Sequence, residues 1–194
     1  PAKVLVLGGG VAGTEAARIA HGMGAHVQIV DRNINRLKEL SIMFSGNVET
    51  IYSTSAVIEE LALEADLIIG AVLIRGDKAP KLISNSLVSR MKPGTVLVDI
   101  AIDQGGCFEG SKPTTHADPT YKVHNSLYYC VANMPGAVPY TSTMALSNAT
   151  LRYSLALANK GWEKALADDA GFAKGLNAHD GKITYAAVAQ AHGL

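Results

Sequence analysis

The sequence of 194 residues predicts an α/β fold, a doubly wound parallel sheet with a C-terminal helical extension. Three observations lead there. Short apolar runs alternate with segments whose apolar residues recur at helical spacing. The first run, residues 4–7, passes directly into Gly8-x-Gly10-x-x-Gly13 and a helical pattern. The run at 66–72 is apolar almost throughout, as suits a strand covered on both faces.

Strand one is residues 3–7. A helix over 11–23 follows, with Ala12, Ala16, Ile19 and Ala20 as its packed face and Gly22 and Gly24 punctuating its end. Strand two, residues 26–30, closes on Asp31. Asn33 is placed to cap a second helix bearing Ile34, Leu37, Leu40 and Met43. Strand three is 48–52, and a helix over 55–63 carries Val57, Ile58, Leu61 and Ala62. After strand four, a Gly/Pro-bearing loop at 75–80 and a helical stretch through 87–91 lead to Pro93-Gly94 and strand five, 95–100. A polar loop covers 103–120, and strand six is 127–131. Regular strand–helix alternation implies right-handed crossovers, and the doubly wound order places its ligand crevice at the strands' C-terminal ends.

Beyond Asn133-Met134-Pro135-Gly136 the pattern changes. A long helix is predicted over 139–159, then short helices containing Trp162, Leu166 and Phe172, a short strand near 182–184 and a last helix. Residues 1–138 thus form one domain. Residues 139–194 are too few for a comfortable core of their own. They are expected to dock on the first domain, or to complete a second one whose N-terminal portion is absent. The first strand begins almost at residue 1, with no initiator methionine, so the sequence is expected to be a piece of a longer protein.

Composition narrows the function. Hydrophobic residues make up 48% and charged residues 18%, a globular balance. Seventeen Lys+Arg face seventeen Asp+Glu, so no electrostatic footprint points to nucleic acid or an anionic membrane. The longest apolar run, 67–74, is too short to span a bilayer, and no signal peptide is visible. Cys107 and Cys130 fall in no metal or redox spacing, which favours reduced thiols in a cytoplasmic protein; no metal site is expected.

The glycines carry the first chemical signal. In a strand–turn–helix unit Gly8 permits the tight turn, Gly10 lets the backbone approach a pyrophosphate, and Gly13 lets helix and strand pack closely. The helix N-terminus offers unpaired N–H groups to the phosphates. Asp31 is placed to hold the ribose hydroxyls and to repel the 2′-phosphate of NADP, which argues for NAD. Its competing role is to cap the next helix or to pair with Arg32 or Arg36. A structural glycine turn or another nucleotide ligand also fits the glycines alone. After strand five, Asp103 precedes Gly105-Gly106, where a doubly wound sheet places reactive groups beside a nicotinamide. It is placed there to orient water or an ammonium group, or to relay a proton. A turn former with a local backbone bond suits the same spacing. Asn133 and Met134 occupy the comparable position one strand along, suited to a hydrogen bond and to packing on the ring, or to a simple turn. His116 and His124 lack metal spacing and read as structural or surface residues.

The glycine turn with Asp31, Gly70-Ala71-Val72-Leu73, Ala79-Pro80-Lys81-Leu82, the stretch from Val98 to Gly106 and Ala132-Asn133-Met134-Pro135 together resemble alanine dehydrogenase, over essentially the whole chain. The related NAD-binding subunit of proton-translocating transhydrogenase typically has a glutamate where this chain has Asp103. The resemblance implies that Gly8, Gly10, Val11 and Gly13 line the pyrophosphate, Asp31 the adenosine ribose, and Arg36 and Ser53 the adenine end. Val72, Leu82, Ile100, Asp103, Asn133 and Met134 line the path to the nicotinamide, with Asp103 as the catalytic acid. It further implies reversible NAD-dependent oxidative deamination of L-alanine to pyruvate and ammonium, in a homo-oligomer that is a hexamer in the parent. The family's substrate-binding arginine and lysine and its catalytic histidine have no counterpart here, so this chain is expected to bind NAD without turnover. The alternatives are a transhydrogenase NAD component and a non-catalytic NAD-binding module.

Overall fold

A strand at the middle of a two-sided sheet must hide its side chains on both faces, and β1 (Lys3–Leu7) does so after its exposed first residue: Val4, Leu5, Val6 and Leu7 are all buried. In the computed structural model, which describes residues 1–74, 79–191 and 193, β1 lies between β2 (His26–Asp31) and β4 (Leu67–Gly70). With β3 (Glu49–Tyr52), β5 (Val96–Asp99), β6 (Thr120–Val123) and β7 (Ser126–Tyr129), they form a seven-stranded sheet ordered β3-β2-β1-β4-β5-β7-β6.

Alternation along the strands divides the core into two layers. Leu5, Leu7, Ile68 and Leu97 face one side, against Ile58 and Ala62 of α3 (Ser55–Glu64) and Leu87 and Val88 of α4 (Asn85–Val88). Val4, Val6, Ile29 and Ile69 face the other, against Ala17 of α1 (Val11–Gly22), Leu40 of α2 (Ile34–Met43) and Phe44. Helices therefore cover both faces, as a doubly wound sheet requires. Three of these helices start on a side-chain cap. Asn33 accepts from the Arg36 N–H, Thr54 from Val57 and Ser84 from Leu87. α1 starts at Gly10 with no side-chain cap.

Two elements differ from expectation. β6 is an antiparallel edge strand paired with β7, in a stretch with no strand assigned from sequence. Thr120 and Lys122 are exposed while Tyr121 and Val123 are partly buried, and its turn lacks an Asn-Gly signal; His124 takes the left-handed backbone instead (φ 51°). The stretch through 87–91 is helical only over Asn85–Val88. The N–H groups of Arg90 and Met91 reach back three residues, to Leu87 and Val88, and Pro93 disfavours helix at the residue before it. Met91 is nonetheless buried, which explains its helix-like periodicity. Within the expected loop at 75–80, residues 75–78 lie outside the described residues.

The chain divides into two compact units, the first carrying the large sheet through Met134 and the second formed by residues 135–194. In the second, α5 (Pro139–Asp168) is broken at Gly161, whose backbone is far from helical (φ 75°, ψ 161°). Asp169 caps α6 (Ala170–Ala173), accepting from Gly171 and Phe172 at 2.8 and 2.9 Å. β8 (Ala178–His179) and β9 (Lys182–Ile183) form a hairpin across Asp180-Gly181, both left-handed. That dipeptide is a recognised hairpin signal, so β8 was legible beside the one strand expected near 182–184. α7 (Ala186–Ala191) closes the unit.

Gly13 is the tightest point of the first unit: a Cβ there would lie 1.9 Å from the Gly8 carbonyl oxygen. Gly13→Ala is expected to destabilise the protein by about 1–3 kcal/mol or more, read as a lower midpoint in urea unfolding. An unchanged midpoint would refute the close packing.

Candidate functional site

Six of the seven strands of the large sheet run parallel, so their C-terminal ends share one edge, and the strand order reverses direction between β1 and β4. That switch point is where such sheets leave a crevice. Gly8 leaves β1 with φ 99°, its N–H donating to the Val30 carbonyl at 2.9 Å, and a Cβ on it would meet the Ala71 oxygen and Val72 Cγ2 at 3.0 Å. Gly10 and Val11 behave oppositely. A Cβ on Gly10 would touch nothing within 4 Å, and Val11 is 83% exposed. The uncapped first turn of α1 is open, with the partial positive charge of a twelve-residue helix behind it.

The glycine turn is gripped by the end of β2 and the start of α2. Asp31 accepts the Gly9 N–H on one carboxylate oxygen at 2.7 Å and the Asn33 N–H on the other at 2.8 Å. Arg36 donates through Nε to the Gly9 carbonyl at 2.7 Å, through Nη2 to Thr14 Oγ1 at 2.9 Å, and through Nη1 to Glu39 at 2.9 Å. The peptide units at Gly9 are thus held by a carboxylate on the N–H side and a guanidinium on the carbonyl side. A carboxylate accepts about four hydrogen bonds, so Asp31 retains acceptor capacity beyond these two. Ser53 sits beside it, its N–H donating to the Asp31 carbonyl at 2.9 Å.

The second half of the edge is built on Asp99, which ends β5 and is fully buried. It accepts from the N–H groups of Ala101 (3.2 Å), Cys107 (2.7 Å) and Phe108 (3.3 Å) and from the Ser111 hydroxyl (2.5 Å). Burial pushes its carboxyl above the ordinary carboxylate range, against the lowering effect of these four donors. The neighbouring thiols respond in the same direction. Burial, reinforced by the Asp99 charge, raises Cys107 to about 12, and burial raises Cys130. Both cysteines are free and buried, without the depressed pKa that a reactive thiol needs.

The roles of Asp99 and Lys81 are what sequence reasoning passed over, although both stand in stretches it singled out. Residues 79–83 run alongside 104–109, the N–H of Ala79 donating to Gln104, that of Leu82 to Cys107 and that of Glu109 to Ile83. Between them the Lys81 ammonium donates to the carbonyls of Gly105, Gly106 and Phe108, the last two at 3.0 Å. A carboxylate closing an apolar strand just before a run of small residues was the available signal for Asp99. The Ala79-Pro80-Lys81-Leu82 stretch marked the segment but not what the Lys81 ammonium binds, because its partners lie twenty-four and more residues away.

Every residue expected at the site lies on this one edge. Gly8, Gly10, Val11 and Gly13 form the turn after β1, with Asp31, Arg36 and Ser53 beside it. Val72 follows β4 and packs near Gly8. Ile100, half-buried, donates its N–H to the Gly70 carbonyl at 2.8 Å. Leu82 is bound to the β5 loop through Cys107. Asp103 lies exposed in a short 3₁₀ turn, Ile102–Gln104, and its carboxylate makes no hydrogen bond to another described residue. The local backbone bond considered for it is made by Asp99 instead. Asn133 follows β7 in the left-handed conformation (φ 56°), its carbonyl 3.1 Å from His116 Nε2, and half-buried Met134 comes next. His116 is therefore a structural hydrogen-bonding group. Among the described residues, no helix is long and apolar enough to cross a membrane.

Comparison with known proteins is consistent with this arrangement. Residues 1–186 match the family model described as alanine dehydrogenase/PNT, C-terminal domain. An alanine dehydrogenase of Halomonas elongata is 62% identical over 194 residues, covering 100% of this chain and 52% of that protein. A solved L-alanine dehydrogenase superposes with a TM-score of 0.87 at 53% identity, covering 100% of this chain and 53% of the other. A transhydrogenase from Sinorhizobium meliloti gives 0.66 at 28% identity, covering 74% and 42%. The chain spans about half the length of the curated relatives it matches.

The Asp99 cluster makes two expectations. Ser111→Ala removes a donor to a buried carboxylate and should cost about 1.5–3 kcal/mol in denaturant unfolding at neutral pH. Because the folded-state pKa of Asp99 is raised, its stabilising contribution is complete below the unfolded pKa and is lost as pH rises through the folded one. The stability of the wild type relative to Asp99→Asn should accordingly fall between acid and neutral pH. A difference that grows with pH would contradict the direction of the shift.

Proposed function

The chain belongs to the alanine dehydrogenase/PNT C-terminal domain family, and on that premise we propose that it is the NAD-binding portion of an L-alanine dehydrogenase. The observation that carries this reading is the shared edge. An open helix N-terminus and an acid suited to ribose stand at the β1–β4 switch point, and a second acid, Asp103, stands on the loop after β5. The groove fits the cofactor in three respects: Gly10 faces open space, the first turn of α1 has no side-chain cap, and Asp31 has acceptor capacity left.

Gly8, Gly10, Val11 and Gly13 would hold the pyrophosphate and Asp31 the adenosine ribose, with Arg36 and Ser53 toward the adenine. Val72, Leu82, Ile100, Asp103, Asn133 and Met134 would line the nicotinamide end. Arg36 is committed to the glycine turn and Glu39, so its contribution is to hold Gly9 in place as much as to touch the adenine. When bound, NAD supplies the hydride acceptor for L-alanine + NAD⁺ + H₂O → pyruvate + NH₄⁺ + NADH + H⁺. Asp103, exposed on a pinned loop, is the acid that would orient water or the departing ammonium group and hold a proton. It supports the dehydrogenase over a transhydrogenase component, in which a glutamate is typical.

On this reading residues 1–138 are the NAD-binding domain and 139–194 belong to a substrate domain. The substrate-binding arginine and lysine and the catalytic histidine would lie in the half of the relatives that this chain does not span. The full-length protein would be a cytoplasmic homo-oligomer, a hexamer by resemblance.

Calorimetry on this chain should show NAD binding and much weaker NADP binding. Asp31→Ala should weaken NAD by tenfold or more, about 1.4 kcal/mol or more. Equal affinity for the two nucleotides would refute the role of Asp31. In the full-length protein, Asp103→Asn should lower kcat for alanine-dependent NADH formation by about 10²-fold or more. Full turnover would remove Asp103 from catalysis.

A further inference from the structure

The three hydrogens of a lysine ammonium are donors with no acceptor among them, and those of Lys81 are all engaged by one short stretch of backbone: the carbonyls of Gly105, Gly106 and Phe108. Cys107 and Phe108 are anchored by full burial, but the two glycines before them have no side chain to anchor. Gly105 and Gly106 are consecutive left-handed residues (φ 88° and 78°), and glycine has the largest conformational freedom to lose. Three carbonyl oxygens drawn to one point also repel one another unless a cation sits among them. On the opposite side of the same loop, Asp99 gathers the N–H groups of Ala101, Cys107 and Phe108. Phe108 is held at both ends of its peptide, its N–H by the carboxylate and its carbonyl by the ammonium. Asp103, two residues before Gly105, rides on this clamped loop.

We propose that Lys81 is a positioning residue for the nicotinamide end of the cofactor site: its ammonium, opposed to buried Asp99, fixes the loop that carries Ile100 and Asp103. The inference rests on the NAD reading above. It separates the two ends of the groove. The pyrophosphate and adenosine end is built from β1, β2, α1 and α2 and is held by Asp31 and Arg36. The clamp acts on the loop after β5 alone.

ADP-ribose contains all of NAD except the nicotinamide, so it reads the first end without the second. In calorimetry on this chain, Lys81→Met should raise the Kd for NAD about tenfold and leave that for ADP-ribose within about twofold. Lys81→Cys should behave likewise. Aminoethylation of that exposed cysteine restores an ammonium at the same reach, while Cys107 and Cys130 are buried, and should return NAD affinity to within about threefold of wild type. Equal loss of both ligands, or of neither, overturns the proposal, as does failure of the ammonium to rescue. A measurement on the wild type does not depend on a variant folding. NAD should slow amide hydrogen exchange across residues 101–108 more than ADP-ribose does, and equal protection would also overturn the proposal. A wild-type chain that binds neither ligand would defeat the NAD reading instead.

Discussion

A carboxylate sealed from solvent at the end of a central strand is an expensive group unless donors surround it, and the loop after β5 is folded to provide them. Asp99 takes three backbone N–H groups and one hydroxyl, and the chain from Ala101 to Ser111 bends around it to deliver them. Much else follows from that requirement. The small residue at Gly106 is needed because a Cβ there would lie 2.5 Å from a carboxylate oxygen of Asp99. The thiol of Cys107 is inert because it shares the buried space and the charge. The carbonyls on the far side of the loop collect on Lys81, and Asp103 is left exposed.

The glycine turn after β1 obeys the same logic at the other end of the crevice. Its peptide at Gly9 is held between Asp31 and Arg36, an acid on the N–H side and a base on the carbonyl side. Both halves of the edge are thus short glycine-bearing loops, each held by one carboxylate and one cation, and the loop after β5 is also anchored by Ile102, Cys107 and Phe108 in the core. Hydrogen bonds to charged groups are worth about 1.5–3 kcal/mol each. A few of them help to order the glycine positions, which have no side chain to bury.

The two halves of the chain differ in how they are stabilised. The first unit has two apolar layers, one on each face of the sheet. In the second, only Ala165 among the described apolar residues is buried, while Tyr140, Leu146, Leu151 and Leu155 are at least half exposed. Its order comes from local devices: the Asp169 cap, the Asp180-Gly181 hairpin and ring contacts such as Tyr153 with Phe172.

The amino-acid sequence by itself determined the parallel strands, the helices on both faces, the glycine turn and the acids at its ends. Each of these is written in local periodicity or in a residue type with a fixed conformational need: apolar runs in β1, β4 and β5, Asn33 as a cap, Gly8 with positive φ. The edge strand β6 was not read from sequence, since its polar–apolar alternation, Thr120-Tyr121-Lys122-Val123, spans only four residues beside a polar loop, nor was the end of α4, where 3₁₀ turns bury Met91 at helical spacing. Only the tertiary structure decided which acid of the β5 loop is structural and which is free. Asp99 and Asp103 are four residues apart and chemically alike. The sheet buries the first and the loop exposes the second, and the cation that completes the clamp arrives from Lys81, twenty-four or more residues before the carbonyls it binds. Long-range partners of this kind leave no local trace, because their geometry exists only once the strands have paired.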